Sequence, residues 1–361
     1  SKIGIIGAGE GTTGIMVDTI LNKLKKLKGL SEREFFKRSN ATIKLGLDCR
    51  DWDGVGTSYY EPLQTTKTAN SIIDIHYLMA VKYGKAYESV QNALLWEENK
   101  VPFINKTYNS IGGYAYHFDA HKVGQYFKSH AIKHGVKVID AEVESLQRNS
   151  LTGELESVQS SIGKIEGDFW IDCSGFNRVL IGPMGGGWKS YSDYLKVNAA
   201  IPFIQKFKDG EVPKLETLSQ AMPNGWMWQI PTQERYGCGY VYSDMFTTYD
   251  KAVEELMKTT GRKIEPLRNL KFDVGRCKNF WVKNVVAVGL SAGFVEPLEA
   301  TSIHATIIQL DFLLTNTLNF FSKKENTIFN ANVTRYNEFV GRFFDDIKDL
   351  IQLHYMTDRE D

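Results

Sequence analysis

The sequence predicts an α/β fold in which antiparallel strands are inserted into a β–α–β frame. Three observations carry this reading. The chain opens on an apolar stretch, 2–6, that runs into the glycine-rich turn 7–14 and then a helical pattern. Residues 41–50, ATIKLGLDCR, alternate as one strand does. Residues 225–243 read as two strands turning at Gln233-Glu-Arg235, and 299–320 as a long apolar helix.

Each element has a local reason. In the first helix Met16, Ile20, Leu24 and Leu27 share a stripe, while Lys23, Lys25, Lys26 and Lys28 fall largely off it and read as a solvated face. Ser31-x-x-Glu34 is a capping box that starts a second helix. Along 41–50, Ala41, Ile43, Leu45, Leu47 and Cys49 face one way and Thr42, Lys44, Gly46, Asp48 and Arg50 the other. Residues 51–113 are aromatic and irregular, and 119–134 are helical. A strand is expected at 136–140, a hairpin turn at Asn149–Gly153, and a strand at 168–172 ending in Cys173-Ser-Gly-Phe176. GPMGGG at 182–187 reads as a flexible loop, and 280–289 as one buried strand.

Composition narrows the function. The chain has 361 residues and is 42% apolar, enough for a sizeable core. Lys+Arg and Asp+Glu balance at 43 each, which argues against a nucleic-acid footprint. No apolar run approaches the roughly 18 residues of a membrane span, and the first residues do not show the charged-apolar-small pattern of a signal peptide. Cys49, Cys173, Cys238 and Cys277 lie far apart with no C-x-x-C, so reduced thiols and a cytoplasmic location are expected. His117/His121 and His130/His134 have the i,i+4 spacing of a helical zinc pair but no third ligand at a suitable spacing. They read as surface helix histidines, and no metal is expected. Ser174 lies in C-S-G-F rather than G-x-S-x-G, which removes a hydrolase reading.

The turn Gly9-x-Gly11-x-x-Gly14 has the spacing of a dinucleotide loop, whose glycines let a pyrophosphate reach amides at a helix N-terminus. That fingerprint needs a second strand ending in Asp or Glu about 20 residues on. Here LNKLKKLKGLSERE is helical instead, so an ordinary Rossmann loop is the weaker reading.

Four further segments are unusual together: Asn40–Gly46, Gly225–Pro231, Gly237–Ser243 and Gly289–Ile303. With Trp226-x-Trp228-x-Ile-Pro231 complete and Gly293-Phe-Val-Glu-Pro-Leu-Glu299 following, the chain resembles the flavin-dependent halogenases of the tryptophan halogenase family. Asp172-Cys-Ser-Gly-Phe176 and Leu353-His354-Tyr355 also match that family's pattern. Gly7-Ala-Gly-Glu10-Gly-Thr12 is similar to the family's strap over the flavin rather than to its phosphate loop. The resemblance therefore implies a phosphate-binding piece upstream and a further C-terminal portion downstream of this sequence.

The resemblance implies an FAD-binding, hydroxylase-like flavoprotein fold with mixed and antiparallel sheet inserts. A flavin module would use about 1–50, 112–180 and 272–345, and a substrate layer about 51–111 and 186–271. FADH2 would come from a separate flavin reductase and, with O2, oxidise halide to hypohalous acid. Lys44 would hold the hypohalous acid or a haloamine, and Glu299 would steady and deprotonate the attacked ring. Thr301 and Ser302 would bind halide. Glu10, Gly11, Val143, Leu290 and Ile303 would touch flavin, with Trp226, Trp228 and Pro231 close to it. The substrate would be an electron-rich aromatic of indole or phenol type, and an oligomer is compatible with the sequence. On residues alone, Lys44 is an exposed strand lysine, Glu299 an acidic helix start, and the tryptophans core. The alternatives are a flavin-dependent aromatic monooxygenase and a non-catalytic flavin-binding protein. The sequence departs from the family at Ala300, where Ser is common, and at Gly11, where Ala is usual.

Overall fold

The computed structural model describes residues 10–24, 30–63, 95, 98–102, 113–316, 330–357 and 359, with the side chain of Leu21 excepted. The expected strand at 2–6, Gly9, Leu27, most of 64–112 and the end of the helix at 317–320 lie outside the described residues. The chain divides into two compact units. One takes 136–198 and 272–354 of the described residues; the other takes 10–135, 199–271 and 355–359.

The second unit is built on a seven-stranded sheet. Its order is Leu270–Lys271, Ala199–Lys206, Arg235–Tyr242, Gly225–Pro231, Glu216–Met222, Gly46–Arg50 and Ser58–Pro62. All neighbours are antiparallel except Glu216–Met222 beside Gly46–Arg50. One face buries Ile201, Phe203, Met227, Tyr236 and Tyr240 against Ala252 and Leu256 of the helix Tyr249–Thr260. The expected strand pair at 225–243 is present, paired from Gly225↔Tyr242 to Pro231↔Tyr236.

A smaller sheet sets Ala115–Phe118 between Glu10–Gly11 and Thr42–Lys44. The helices Glu32–Ser39 and Ala120–Lys133 belong to the same unit. Ser31 Oγ accepts the Glu34 amide at 3.3 Å, as the capping box predicts. Phe35, fully buried, packs its ring on Tyr116 and Phe118. The first helix is α-helical only over Gly14–Asp18 and widens into a π-turn at Thr19–Lys23. Its stripe residues Met16 and Ile20 are buried.

Two strand expectations in this region need correction. Residues 41–50 are not one strand: Thr42–Lys44 pairs in the small sheet and Gly46–Arg50 in the large one. The chain changes sheets at Leu45, whose N–H donates to Leu215 O at 2.7 Å and whose carbonyl accepts from Leu63 N at 2.8 Å. Nor is the polar face a solvated one, since of its residues only Arg50 is exposed. Lys44, Gly46 and Asp48 are buried along with the apolar set.

The first unit carries three short sheets. Val143–Arg148, Leu155–Ser160 and Gly163–Glu166 form an antiparallel meander. Its first turn closes as expected, with Asn149 Oδ1 accepting the Leu151 and Thr152 amides at 2.9 Å each. No strand forms at 136–140; the ladder starts only at Val143, after an extended, largely exposed run. Residues 280–289 are a hairpin rather than one strand, because left-handed Lys283 turns Trp281–Val282 back onto Val285–Ala287. Trp170–Asp172 joins that hairpin in parallel. The helices Thr301–Asn316 and Asn330–His354 complete the unit. Asp345 is its charge hub: Arg276 binds it through two nitrogens at 3.0 and 2.8 Å, and Tyr191 Oη donates at 2.6 Å. No helix among the described residues is long and apolar enough to cross a membrane.

Candidate active site

In the second unit, Lys44 is only 1% exposed. The exposed-lysine reading is therefore wrong for this residue. Its backbone sits opposite Ala115 in the small sheet. Two positions earlier, Thr42 lies opposite His117, which is also fully buried. Thr42 Oγ1 donates to Pro231 O at 2.7 Å, so its proton is already committed. His117 Nδ1, 3.3 Å from Thr42 Oγ1, must then be the donor, and Nε2 accepts from Thr217 Oγ1 at 2.9 Å. Burial first, and the nearby Lys44 charge second, hold this imidazole neutral, its pKa well below the ordinary 6.5. The network ties the lysine strand to the last residue of the tryptophan motif.

Histidine positions separate once they are seen in place. His117 is on a strand, and His130 is 5% exposed on its helix, so neither is the surface residue expected. His121 is exposed and pairs with Gln125 at 2.7 Å.

Trp226 and Trp228 do share a strand face, with ring centroids 6.1 Å apart. Trp226 is 1% exposed, while Trp228 is half-buried and lies over Gly239. A Cβ on Gly239 would come within 2.0 Å of the Trp228 ring. Gly239 thus makes room for the motif.

Glu10 and Gly11 pair with Phe118 and His117. Thr12 locks this strap, donating from Oγ1 to Tyr116 O at 2.8 Å and accepting from Tyr116 N at 3.0 Å. Glu10 keeps partial exposure, yet the protein packed around its carboxylate raises its pKa to about 7.

In the first unit, Glu299 and Ala300 form a strained turn ahead of the helix Thr301–Asn316. Both are left-handed, at φ 64° and 55°. Non-glycine residues in this region cost about 1–3 kcal/mol each and persist only where surroundings enforce them. The Glu299 carboxylate is held by His354, with Oε1 and Nε2 3.2 Å apart, and the two side chains are 16% and 9% exposed. His354 Nδ1 lies 3.1 Å from Leu350 O.

Thr301 and Ser302 open the helix, where backbone N–H groups have no partner within it. Thr301 Oγ1 is buried and makes no hydrogen bond. Such an orphaned hydroxyl at a helix start suits an anion. Leu290 and Ile303 are half-buried. Leu290 sits in the turn Gly289–Ser291, fastened to the same helix by Gly289 N donating to Gln309 Oε1 at 3.1 Å. Gly289 has φ 70°, and at its α-carbon only Thr306 Oγ1, at 3.4 Å, approaches where a side chain would stand. Val143 is 38% exposed at the start of its strand.

Asp172 escaped the sequence reading except as part of a motif. Its carboxylate is 1% exposed and accepts from Ser174 N, Ser174 Oγ, Leu180 N and Ile181 N at 2.6–2.9 Å. It fixes the C-S-G-F corner and the loop after it. A buried aspartate at a strand end followed by small residues is the signal that would have found it.

The tryptophan halogenase family model matches residues 1–361. Tryptophan 7-halogenase RebH from Lentzea aerocolonigenes is 33% identical over 383 residues, covering 99% of this chain and 70% of RebH. Tryptophan 6-halogenase ThaL from Streptomyces albogriseolus is 30% identical, covering 97% of this chain and 68% of ThaL. Among solved structures, BrvH, a flavin-dependent halogenase from Brevundimonas sp. BAL3, superposes with a TM-score of 0.84 at 28% identity, covering 98% of this chain and 72% of BrvH. A match over the whole chain means that it belongs to the tryptophan halogenase family and is a flavin-dependent halogenase.

Proposed function

We propose that this enzyme halogenates an electron-rich aromatic of indole or phenol type through an oxidised halogen held by Lys44. The observation that carries the reading is the burial of Lys44, 1% exposed on a strand tied to the tryptophan motif. A buried ammonium costs desolvation, so a lysine kept in such a place suits a role that uses its charge and its donors.

The residues present fit a flavin and a halide. Leu290 and Ile303 offer half-buried apolar surface, Glu10 a carboxyl that is neutral for part of the time near pH 7, and Thr301 Oγ1 an orphaned donor. FADH2 from a separate flavin reductase, with O2, supplies the oxidising power that turns halide into hypohalous acid. Thr301 and Ser302 hold the halide through first-turn amides and the Thr301 hydroxyl. Gly11, anchored opposite His117, and Val143 complete the flavin contacts. Trp226, Trp228 and Pro231 wall the flavin region and exclude water. Lys44 Nζ donates a hydrogen bond to hypohalous acid, polarising the halogen toward the ring. Glu299 accepts the proton that leaves the halogenated carbon. The functional layers of this proposal are the flavin module (about 1–50, 112–180, 272–345) and the substrate layer (about 51–111, 186–271).

The test is turnover with a flavin reductase, bromide or chloride, and a simple indole or phenol, read by mass spectrometry. A product heavier by one halogen less one hydrogen supports the reading. A hydroxylated product, heavier by one oxygen, would make the enzyme a monooxygenase on these substrates.

A further inference from the structure

The contact between Glu299 and His354 has a consequence for the protons. His354 Nδ1 faces the Leu350 carbonyl at 3.1 Å, which can only accept, so Nδ1 must carry a proton. A neutral imidazole would then present a bare lone pair at Nε2 to Glu299 Oε1, 3.2 Å away. Two lone pairs at that distance repel. A further proton between the two side chains turns this contact into a hydrogen bond. His354 is also the last residue of the 25-residue helix Asn330–His354, where the helix dipole favours a cation. The proton therefore belongs on the imidazole, as a charge-assisted pair with an ionised Glu299. The same contact bears on a residue held at φ 64° by its surroundings rather than by preference.

We propose that His354 is the positioning residue of Glu299. As an imidazolium anchored on Leu350 O, it fixes the direction of the carboxylate and keeps it ionised, ready to accept the proton of the halogenated ring. The proposal rests on the reading of Glu299 as that acceptor. His354 itself touches neither halide nor substrate in this scheme.

Two substitutions divide its contacts. His354→Asn keeps a donor near the Nδ1 position, within reach of Leu350 O, but is too short for Glu299. His354→Gln places an amide near the Nε2 position, within reach of Glu299. Both suit a helix end. The full chain is assayed with flavin reductase, bromide and an indole, in wild-type and Glu299→Gln backgrounds. His354→Asn should lower kcat by about tenfold or more while KM for the aromatic changes less than about twofold. His354→Gln should recover most of that loss. In the Glu299→Gln background His354→Asn should cost less than about twofold, since the partner it orients has already lost its charge. Equal losses in Asn and Gln, or the same loss in both backgrounds, would overturn the positioning role. A Glu299→Gln enzyme with nearly wild-type rate would instead overturn the reading of Glu299 and the proposal with it.

Discussion

Lys44 and Glu299 are held by opposite means. Lys44 stands on a regular strand without backbone strain, and the sheet around it fixes its place through Thr42, His117 and Pro231. Glu299 stands on a turn whose two central residues are both left-handed, and a histidine from the end of another helix steadies it. A lysine that must stay charged inside protein gains from rigid, preformed surroundings. If Glu299 takes the ring proton as proposed, an unusual backbone aims its carboxylate at a cost in stability. The two regions should therefore respond differently to substitution.

The largest difference lies in chemistry. Lys44→Ala should give folded protein that still consumes oxygen with reduced flavin but forms no halogenated product, by mass spectrometry. Glu299→Gln keeps shape and loses charge. Its product should still form, slowed by roughly 100-fold, the rate equivalent of a few kcal/mol of transition-state stabilisation. If Glu299→Gln slows turnover by less than about threefold, the turn is a helix-end device and not part of the reaction.

Stability should separate the regions next. A Cβ at Gly46, two residues after Lys44, would lie 2.2 Å from the backbone oxygen of Glu61 in the neighbouring strand. Gly46→Ala should destabilise by about 1–3 kcal/mol or more through overpacking, seen as a lower denaturation midpoint. Ala300→Gly should act in the other direction. It relieves a left-handed alanine, and a gain of up to about 1 kcal/mol, less the added freedom of the unfolded chain, should raise the midpoint. A destabilised Ala300→Gly protein would mean that the turn is not strained.

The smallest effect is in pH. His117 is neutral in the fold, with its pKa held well below 6.5. Below about pH 6.5 the unfolded chain therefore binds a proton that the fold refuses. Stability contributed by this site is full above that pH and falls as the pH drops. His117→Gln removes the titrating group, and its unfolding free energy should vary less between pH 7 and pH 5 than that of wild type. Parallel curves for the two proteins would show that His117 does not stay neutral.

The contrast also explains what the sequence disclosed. Regular elements were legible wherever one pattern governed them: the strand pair at 225–243, the turn at Asn149–Gly153 and the helix after the Ser31 cap. Residues 41–50 alternate cleanly, yet alternation cannot show that the polar face is covered or that Leu45 hands the chain from one sheet to another. Those facts depend on Leu215 and Leu63, which are remote in sequence. The Glu299 turn has no periodicity at all, and neither Glu nor Ala advertises a left-handed backbone, so only its motif marked it. His354 was visible within Leu353-His354-Tyr355, but nothing local links it to Glu299, 55 residues earlier.

In the proposed reaction Lys44 acts through its ammonium and not through its bulk. Lys44→Met keeps a long, flexible side chain in the same buried place without the charge or the donors. The decisive measurement is halogenated product formed per O2 consumed, taken side by side for wild type and Lys44→Met with one flavin reductase, one halide and one indole. Oxygen uptake within about twofold of wild type and a product ratio indistinguishable from zero are expected. Wild-type product per O2 in Lys44→Met would contradict that role of the ammonium.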